Sequence, residues 1–600
     1  MSLSRKSIVI ISLSVLAALM VISAAAISLL RSSFSGVAES GTWKGGQIYL
    51  DVKNPDVVII SERLSALPKD MLAVPLLKDM LAESFVFYYE DHPGKSLLTG
   101  TLKRLAYEKD LSFNETLVQS VFDTPSEVYL WRGPNGQLDY WALSMEHHAL
   151  GRVLEGLGRM ALSDAQLAMV GEVSVDGKNV PLYGLRLSGK RAFLFASHKG
   201  RLLVLSHPEM LLKEKGVQES SEGQKEKEDG QENNDGGEGA WKGHPPAFHG
   251  MAIIQDRAEV LFSLLSGKAS VRTEWQNNLL IPEVSSSHTG HDIYVSANYL
   301  SFGYQRFFPA VEGLHFRFDK ASWQSQVLLD PARLSAKPDE LKGLWQSVPV
   351  SPAACFALPL DWGSVWQITE KMSSEKLGPQ KMTQDAAVCW YGKSSLAAPL
   401  FVARFEDAQS AQAQIGPLSA VFAGIIGGRE PKNDNQPFPV ETKKTGDDII
   451  RITRVVSTKY GSHESKALKA ADKMASDRYF PVTLAIAGPN VFFSPDKALV
   501  EDAIAVYQNR LPALADTLEE PEKTRGTITP KTLSLLIEKE AGQTLPTSSS
   551  SVLRKVAKAH LQPRLKVLAG YAPVELRVPE VQGERQWVPL EIVFARKTGK

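Results

Sequence analysis

Between Ile8 and Leu30 the chain runs for 23 residues without a charge, a proline or a glycine. As a helix this run extends about 34 Å, enough for the roughly 30 Å hydrocarbon core of a bilayer. Arg5, Lys6 and the terminal amine precede it and only Arg31 closely follows, so the charge bias holds the short N-terminus in the cytoplasm and sends the rest across. A cleavable signal peptide has an apolar core of about 7 to 15 residues before a small-x-small site. Ala24-Ala25-Ala26 offers such a site, but the run before it is already too long, and no nearby cysteine permits a lipid anchor. The sequence therefore predicts a cytoplasmic tip and transmembrane signal-anchor over residues 1–31, with the body outside the cytoplasm.

The rest is long enough for two to four domains of ordinary size. Hydrophobic residues make up 43% and charged residues 22%, so real cores are within reach. With 67 basic against 67 acidic side chains, the net balance favours neither nucleic acid nor an anionic surface as partner.

Residues 32–54, rich in Ser, Gly and Lys, read as a spacer. A first α+β domain is expected over 55–330. Its strands include the β-branched Val57-Val58-Ile59-Ile60 and a hairpin, Val128 to Met145, turning at Gly133-Pro134-Asn135-Gly136. Residues 215–240 hold almost no apolar side chain, and such an acidic insertion cannot offset its ordering entropy. A linker carrying one helix is expected over 331–350, and a second α+β domain over 351–600.

The two domains repeat the same order of local signals. Leu67-Pro68-Lys69-Asp70 is echoed by Leu358-Pro359-Leu360-Asp361, and Val128-Tyr-Leu-Trp-Arg-Gly133 by Val388-Cys-Trp-Tyr-Gly392. Val204 to Leu212 matches Phe492 to Val500, and Leu314 with Trp323 resembles Leu576 with Trp587. Hairpins mixed with helices favour antiparallel sheets with packed helices over a doubly wound parallel sheet. An internal duplication of an antiparallel α+β domain is the expectation, with a groove between the halves the first place to seek a ligand.

No catalytic signature emerges. His147-His148 is the one adjacent histidine pair, and neighbouring side chains diverge too far to share a metal. Ser373-x-x-Lys376 stands in a polar stretch without the companion motifs of penicillin-binding enzymes. The chain has no His-Glu-x-x-His, Cys-x-x-Cys, Gly-x-Ser-x-Gly or glycine-rich phosphate loop. No catalytic, metal or cofactor residue is therefore expected. The two cysteines, Cys355 and Cys389, lie in apolar runs and read either as a disulfide or as two buried thiols. Most aromatics sit on strands and read as sheet core. The exception is Tyr294 to Phe308, where Ser, Asn and Gly interrupt a dense aromatic run. Its Tyr294, Tyr299, Phe302, Tyr304 and Phe307 are the candidate partner surface.

Pro55-Asp56-Val-Val-Ile-Ile, Leu67-Pro-Lys-Asp-Met-Leu-Ala-Val-Pro75, Phe85-Val-Phe-Tyr-Tyr-Glu90 and Val128-Tyr-Leu-Trp-Arg-Gly-Pro-Asn-Gly136 resemble a family of uncharacterised enterobacterial proteins, a domain of unknown function. The resemblance covers most of the chain after Pro55, apart from the acidic insertion. It implies a single-pass inner-membrane protein with a periplasmic body, encoded beside α2-macroglobulin-like proteins; it carries over no activity and no catalytic residues. The expectation is a periplasmic scaffold or binding protein, accessory to such an envelope system, without a cofactor. A periplasmic hydrolase acting between the two halves, or an accessory to protease inhibition, are the other readings.

Overall fold

A computed structural model describes residues 50–74, 124–146, 166–214, 248, 251–266, 279–281, 289–373, 381–427, 441–457, 479–544 and 561–594, less short stretches at 134–135, 137, 187–191, 302–304, 320–321, 335–337 and 447. The apolar run, the acidic insertion, and His147-His148 lie outside the described residues. Among the described residues no helix is long and apolar enough to cross a membrane.

The fold is α+β, mostly antiparallel sheet with some helices. It divides into two compact units, one built from 50–69 and 124–299, the other chiefly from 300–594. The first unit contains β1 (Val57–Ser61), the start of a short helix α1 (Leu67–Leu72), β2 (Ser126–Arg132), β3 (Leu138–Glu146), β4 (Gln166–Val175), β5 (Lys178–Arg186), β6 (Ala192–His198) and β7 (Arg201–Leu205). Then come β8 (Leu212–Glu214), β9 (Met251–Ile253), α2 (Gln255–Ser266) and β10 (His291–Ser296). Eight of these strands pair in the order β10-β1-β2-β3-β7-β6-β5-β4. Asp176 and Gly177 connect β4 to β5 with φ values of 52° and 73°, and Lys199 and Gly200 connect β6 to β7 with 49° and 76°. These are two-residue turns whose twist matches that of the strands they join. Glu214 on β8 pairs with Met251 on β9, so the described residues flanking 215–247 and 249–250 are neighbours in one ladder.

The second unit opens with β11 (Val311–Asp319) and β12 (Ser322–Leu329), followed by α3 (Pro338–Trp345), β13 (Ala354–Pro359), α4 (Trp362–Ser373), β14 (Asp385–Trp390) and β15 (Leu400–Arg404). Helices α5 (Ala408–Ala413) and α6 (Ile415–Gly427) precede β16 (Glu441–Thr445), β17 (Ile449–Ser457), β18 (Tyr479–Ala487), β19 (Asn490–Ser494) and α7 (Lys497–Tyr507). Last come β20 (Thr524–Ile528), α8 (Pro530–Thr544), α9 (Gln562–Ala569), β21 (Val574–Arg577), β22 (Gln586–Pro589) and β23 (Glu591–Phe594). Its main sheet runs β16-β17-β18-β19-β15-β14-β13-β20-β21-β23. From β20 to β16 this is the strand order of the first unit, position for position. Individual backbone bonds recur too. Asp56 N donates to Leu130 O at 2.8 Å and Ser296 N to Asp56 O at 2.9 Å, as Ala353 N donates to Trp390 O at 2.7 Å and Thr529 N to Ala353 O at 2.9 Å.

The compact units part at Tyr299 and Leu300, ahead of the expected boundary at 330. The physical reason is that β12 pairs antiparallel with β22, Val327 opposite Val588, which ties the β11–β12 hairpin to the chain's last strands. Nor is 331–350 a linker. Leu341, Leu344, Trp345 and Val348, all 2% exposed or less, lie in the main core with Cys355, Cys389, Phe492 and Leu499. Trp345 Nε1 also donates to Thr524 O at 2.8 Å, so the indole's polar atom is satisfied inside that core.

Candidate functional site

The charged and aromatic side chains that the sheet of the first unit gathers at one end form the candidate site. Asp56 immediately precedes β1, Arg132 ends β2, Asp139 and Tyr140 open β3, and His207 follows β7. Antiparallel alternation brings the start of one strand beside the end of the next, so these residues meet although up to 151 positions separate them.

Asp56, 6% exposed, is the fixed point. Its Oδ2 accepts from the backbone N of Arg132 at 2.7 Å, and its Oδ1 accepts from Arg132 Nε at 3.0 Å and Nη2 at 2.7 Å. A carboxylate holding one guanidinium through two nitrogens and a backbone amide is rigid and charge-assisted. The guanidinium in turn lies 5.6 Å from the centroid of the Tyr299 ring. Burial pushes the Tyr299 hydroxyl above its ordinary pKa, as do Asp56 and Asp139, while Arg132 pulls it down.

Beside this pair, the rings of Tyr140 and His207 meet edge to face with centroids 5.3 Å apart. Burial, then Glu209 and Asp139, raise the Tyr140 pKa, and Arg257 opposes them. His207 keeps an exposed edge, yet burial of the rest of the ring lowers its pKa against the upward pull of Glu209 and Asp139. Arg257, from α2, donates through Nη1 to Glu209 O at 3.0 Å. Ser206 is held from two sides: its Oγ accepts from Trp141 N at 2.9 Å and lies 3.0 Å from His207 Nδ1.

Near neutral pH both tyrosines remain protonated, so the rim offers hydroxyl donors, aromatic edges, carboxylates and a guanidinium on a backbone-fixed frame. That equipment suits recognition of a polar partner. The second unit lacks it at the equivalent backbone positions: Ala353 makes the bonds of Asp56, and Gly392, two residues past Trp390, stands where Arg132 stands two past Leu130.

The closest match to a nucleophile and base is Ser61 Oγ, 2.7 Å from His291 Nδ1. Both residues are 2% exposed, opposite each other on β1 and β10, and closed to any substrate. Among the described residues no group of three His, Cys, Asp or Glu side chains is placed to hold a metal ion. Ser373 ends α4, and Lys376 lies outside the described residues.

Three of the five aromatics proposed as a partner surface are among the described residues, and these three have different surroundings. Tyr294 is 3% exposed on β10 and belongs to the core, because its strand lies within the sheet with β1 along one edge. Tyr299 is half-buried in the rim just described, and Phe307 is half-buried with the Arg306 guanidinium 4.9 Å from its ring centroid. Phe302 and Tyr304 lie outside the described residues. Cys355 and Cys389 face each other across β13 and β14, Cα atoms 4.0 Å apart and sulfurs within bonding distance, both 0% exposed.

Sequence reasoning passed over Asp56, Arg132, Asp139, Tyr140, His207, Glu209 and Arg257. The available signal was positional: Asp56 abuts a β-branched run and Arg132 abuts a Gly-Pro-Asn-Gly turn, so both charges mark strand ends. Only the register of β1 on β2 shows that they are the same end.

These features define an antiparallel α+β protein with a charged, aromatic rim on one of its two units. The chain belongs to the family described as an uncharacterized protein conserved in bacteria, DUF2138, whose model matches residues 6–592. It is similar to the uncharacterized protein YfaA of Escherichia coli strain K12, 29% identical over 551 residues that cover 90% of each chain. No solved structure matches it.

Proposed function

We propose that the chain is a membrane-anchored periplasmic scaffold or binding protein built by internal duplication, with binding concentrated on the first half. The shared strand order and the recurring backbone bonds support the duplication. The uncharged run from Ile8 to Leu30, with its basic N-terminal flank, supports a single-pass inner-membrane anchor with the N-terminus in the cytoplasm. The observation that carries the binding reading is the contrast between the halves. One keeps Asp56, Arg132 and the tyrosines around them, while the other has alanine and glycine at the matching positions of Asp56 and Arg132. A duplicated frame furnished on one side only fits recognition at that side. The α2-macroglobulin-like envelope protein implied by the family resemblance is the first partner to test.

The test is affinity purification of the tagged full chain from membranes, beside a version lacking residues 1–31. Recovery of one envelope protein in stoichiometric amount with the full chain, and its loss when the anchor is missing, is the expected outcome. Turnover of an ester, peptide or glycan by the purified protein, abolished by a single rim substitution, would overturn the non-enzymatic reading.

A further inference from the structure

The two units treat the outermost strand of their sheets in opposite ways. In the second unit the edge is β16, five residues long, exposed throughout and carrying Glu441, Lys443 and Lys444. A short, charged edge is how proteins keep sheets from adding another strand. At the same place in the first unit stands β4, ten residues long, whose one charge is Glu172. It pairs with β5 along one side only, and among the described residues no strand pairs with the other. A bulge between Met169 and Gly171 interrupts its first half, and Met169 is left 54% exposed. Beyond the bulge, Gly171 to Val175 is regular: Val173 and Val175 point inward at 5% exposure each, while Glu172 and Ser174 are exposed.

We infer that this edge pairs with the same edge of a second copy of the chain. Antiparallel pairing about a two-fold axis at Val173 sets Glu172 of each copy opposite Ser174 of the other. Opposed strands then meet without a like-charge contact, and the sheet of the first unit continues from copy to copy. Self-complementarity of this kind is what a two-fold interface requires. An edge this long and with so little charge is otherwise an open template for any extended chain.

Light scattering and sedimentation equilibrium of the full chain in mild detergent, over a range of concentrations, test the inference. Ser174 is exposed, so S174E and S174K leave the fold in place, which thermal unfolding of both variants verifies. The first places like charges opposite one another twice per dimer, the second opposite charges twice. S174E is expected to weaken dimerisation about 5-fold and S174K to strengthen it by a similar factor. A chain monomeric throughout the micromolar range overturns the inference. So does a dimer indifferent to both substitutions, or a different protein co-purifying in their place with the same sensitivity to residue 174.

Discussion

Replacing Trp345 by alanine should destabilise the second unit by about 3–5 kcal/mol, the range for removing a large aromatic from a close-packed core. The side chain is 0% exposed, packs in the main core and ends in a hydrogen bond to Thr524 O on β20. Its loss therefore opens a cavity and also leaves a buried carbonyl without its indole donor. Trp345→Phe keeps much of the volume but loses the donor, so it should fall about 1–2 kcal/mol short of the wild type. Urea unfolding followed by intrinsic fluorescence and circular dichroism reads both variants. A loss of less than 1 kcal/mol for Trp345→Ala would mean that 331–350 is a connector after all.

The second large effect is expected at Cys355 and Cys389. They sit directly opposite on β13 and β14, and 34 residues separate them. We propose that they are bridged in an oxidising compartment, where a loop of that length gives about 3–4 kcal/mol on the chain-entropy account. The pattern of variants distinguishes a bridge from two thiols. If bridged, Cys355→Ala and Cys389→Ala each lose the whole contribution, and the double variant loses little more than either single. If the thiols are free, each single change costs only its own packing and the two add. Mass spectrometry of the chain alkylated before and after reduction reads the bond itself.

How much of this the sequence disclosed depends on the range of the interactions involved. The strand at Val57 and the hairpin from Val128 were legible because β-branched runs and a Gly-Pro-Asn-Gly turn act locally. Two of the paired signals fall on strands at matching places in the two sheets, β2 with β14 and β7 with β19; Leu67 to Asp70 instead lies on helix α1 while Leu358 and Pro359 end strand β13, and Leu314 and Trp323 share the second unit with Leu576 and Trp587. Trp345 was harder to place. A helix with one apolar face looks the same whether it crosses a gap between domains or packs into a core, and only the neighbours decide. Tyr294 failed for a similar reason: an aromatic run broken by Ser and Asn looks like surface, yet β10 lies inside the sheet. The rim was almost wholly illegible, since Asp56 and Arg132 are 76 residues apart and only their register makes them partners.

We propose that the chain recognises its partner through the rim of the first unit. This is tested most directly by measuring partner recovery from membranes for the full chain, for a double variant with Asp139→Ala and His207→Ala, and for Lys393→Ala. Lys393 pairs with Asp502 on the second unit and serves as a surface control. The rim variant is expected to lose the co-purifying envelope protein while keeping wild-type abundance and thermal stability, and the control to retain it. Undiminished recovery with the rim variant, or equal loss with the control, would contradict the assignment of binding to this rim.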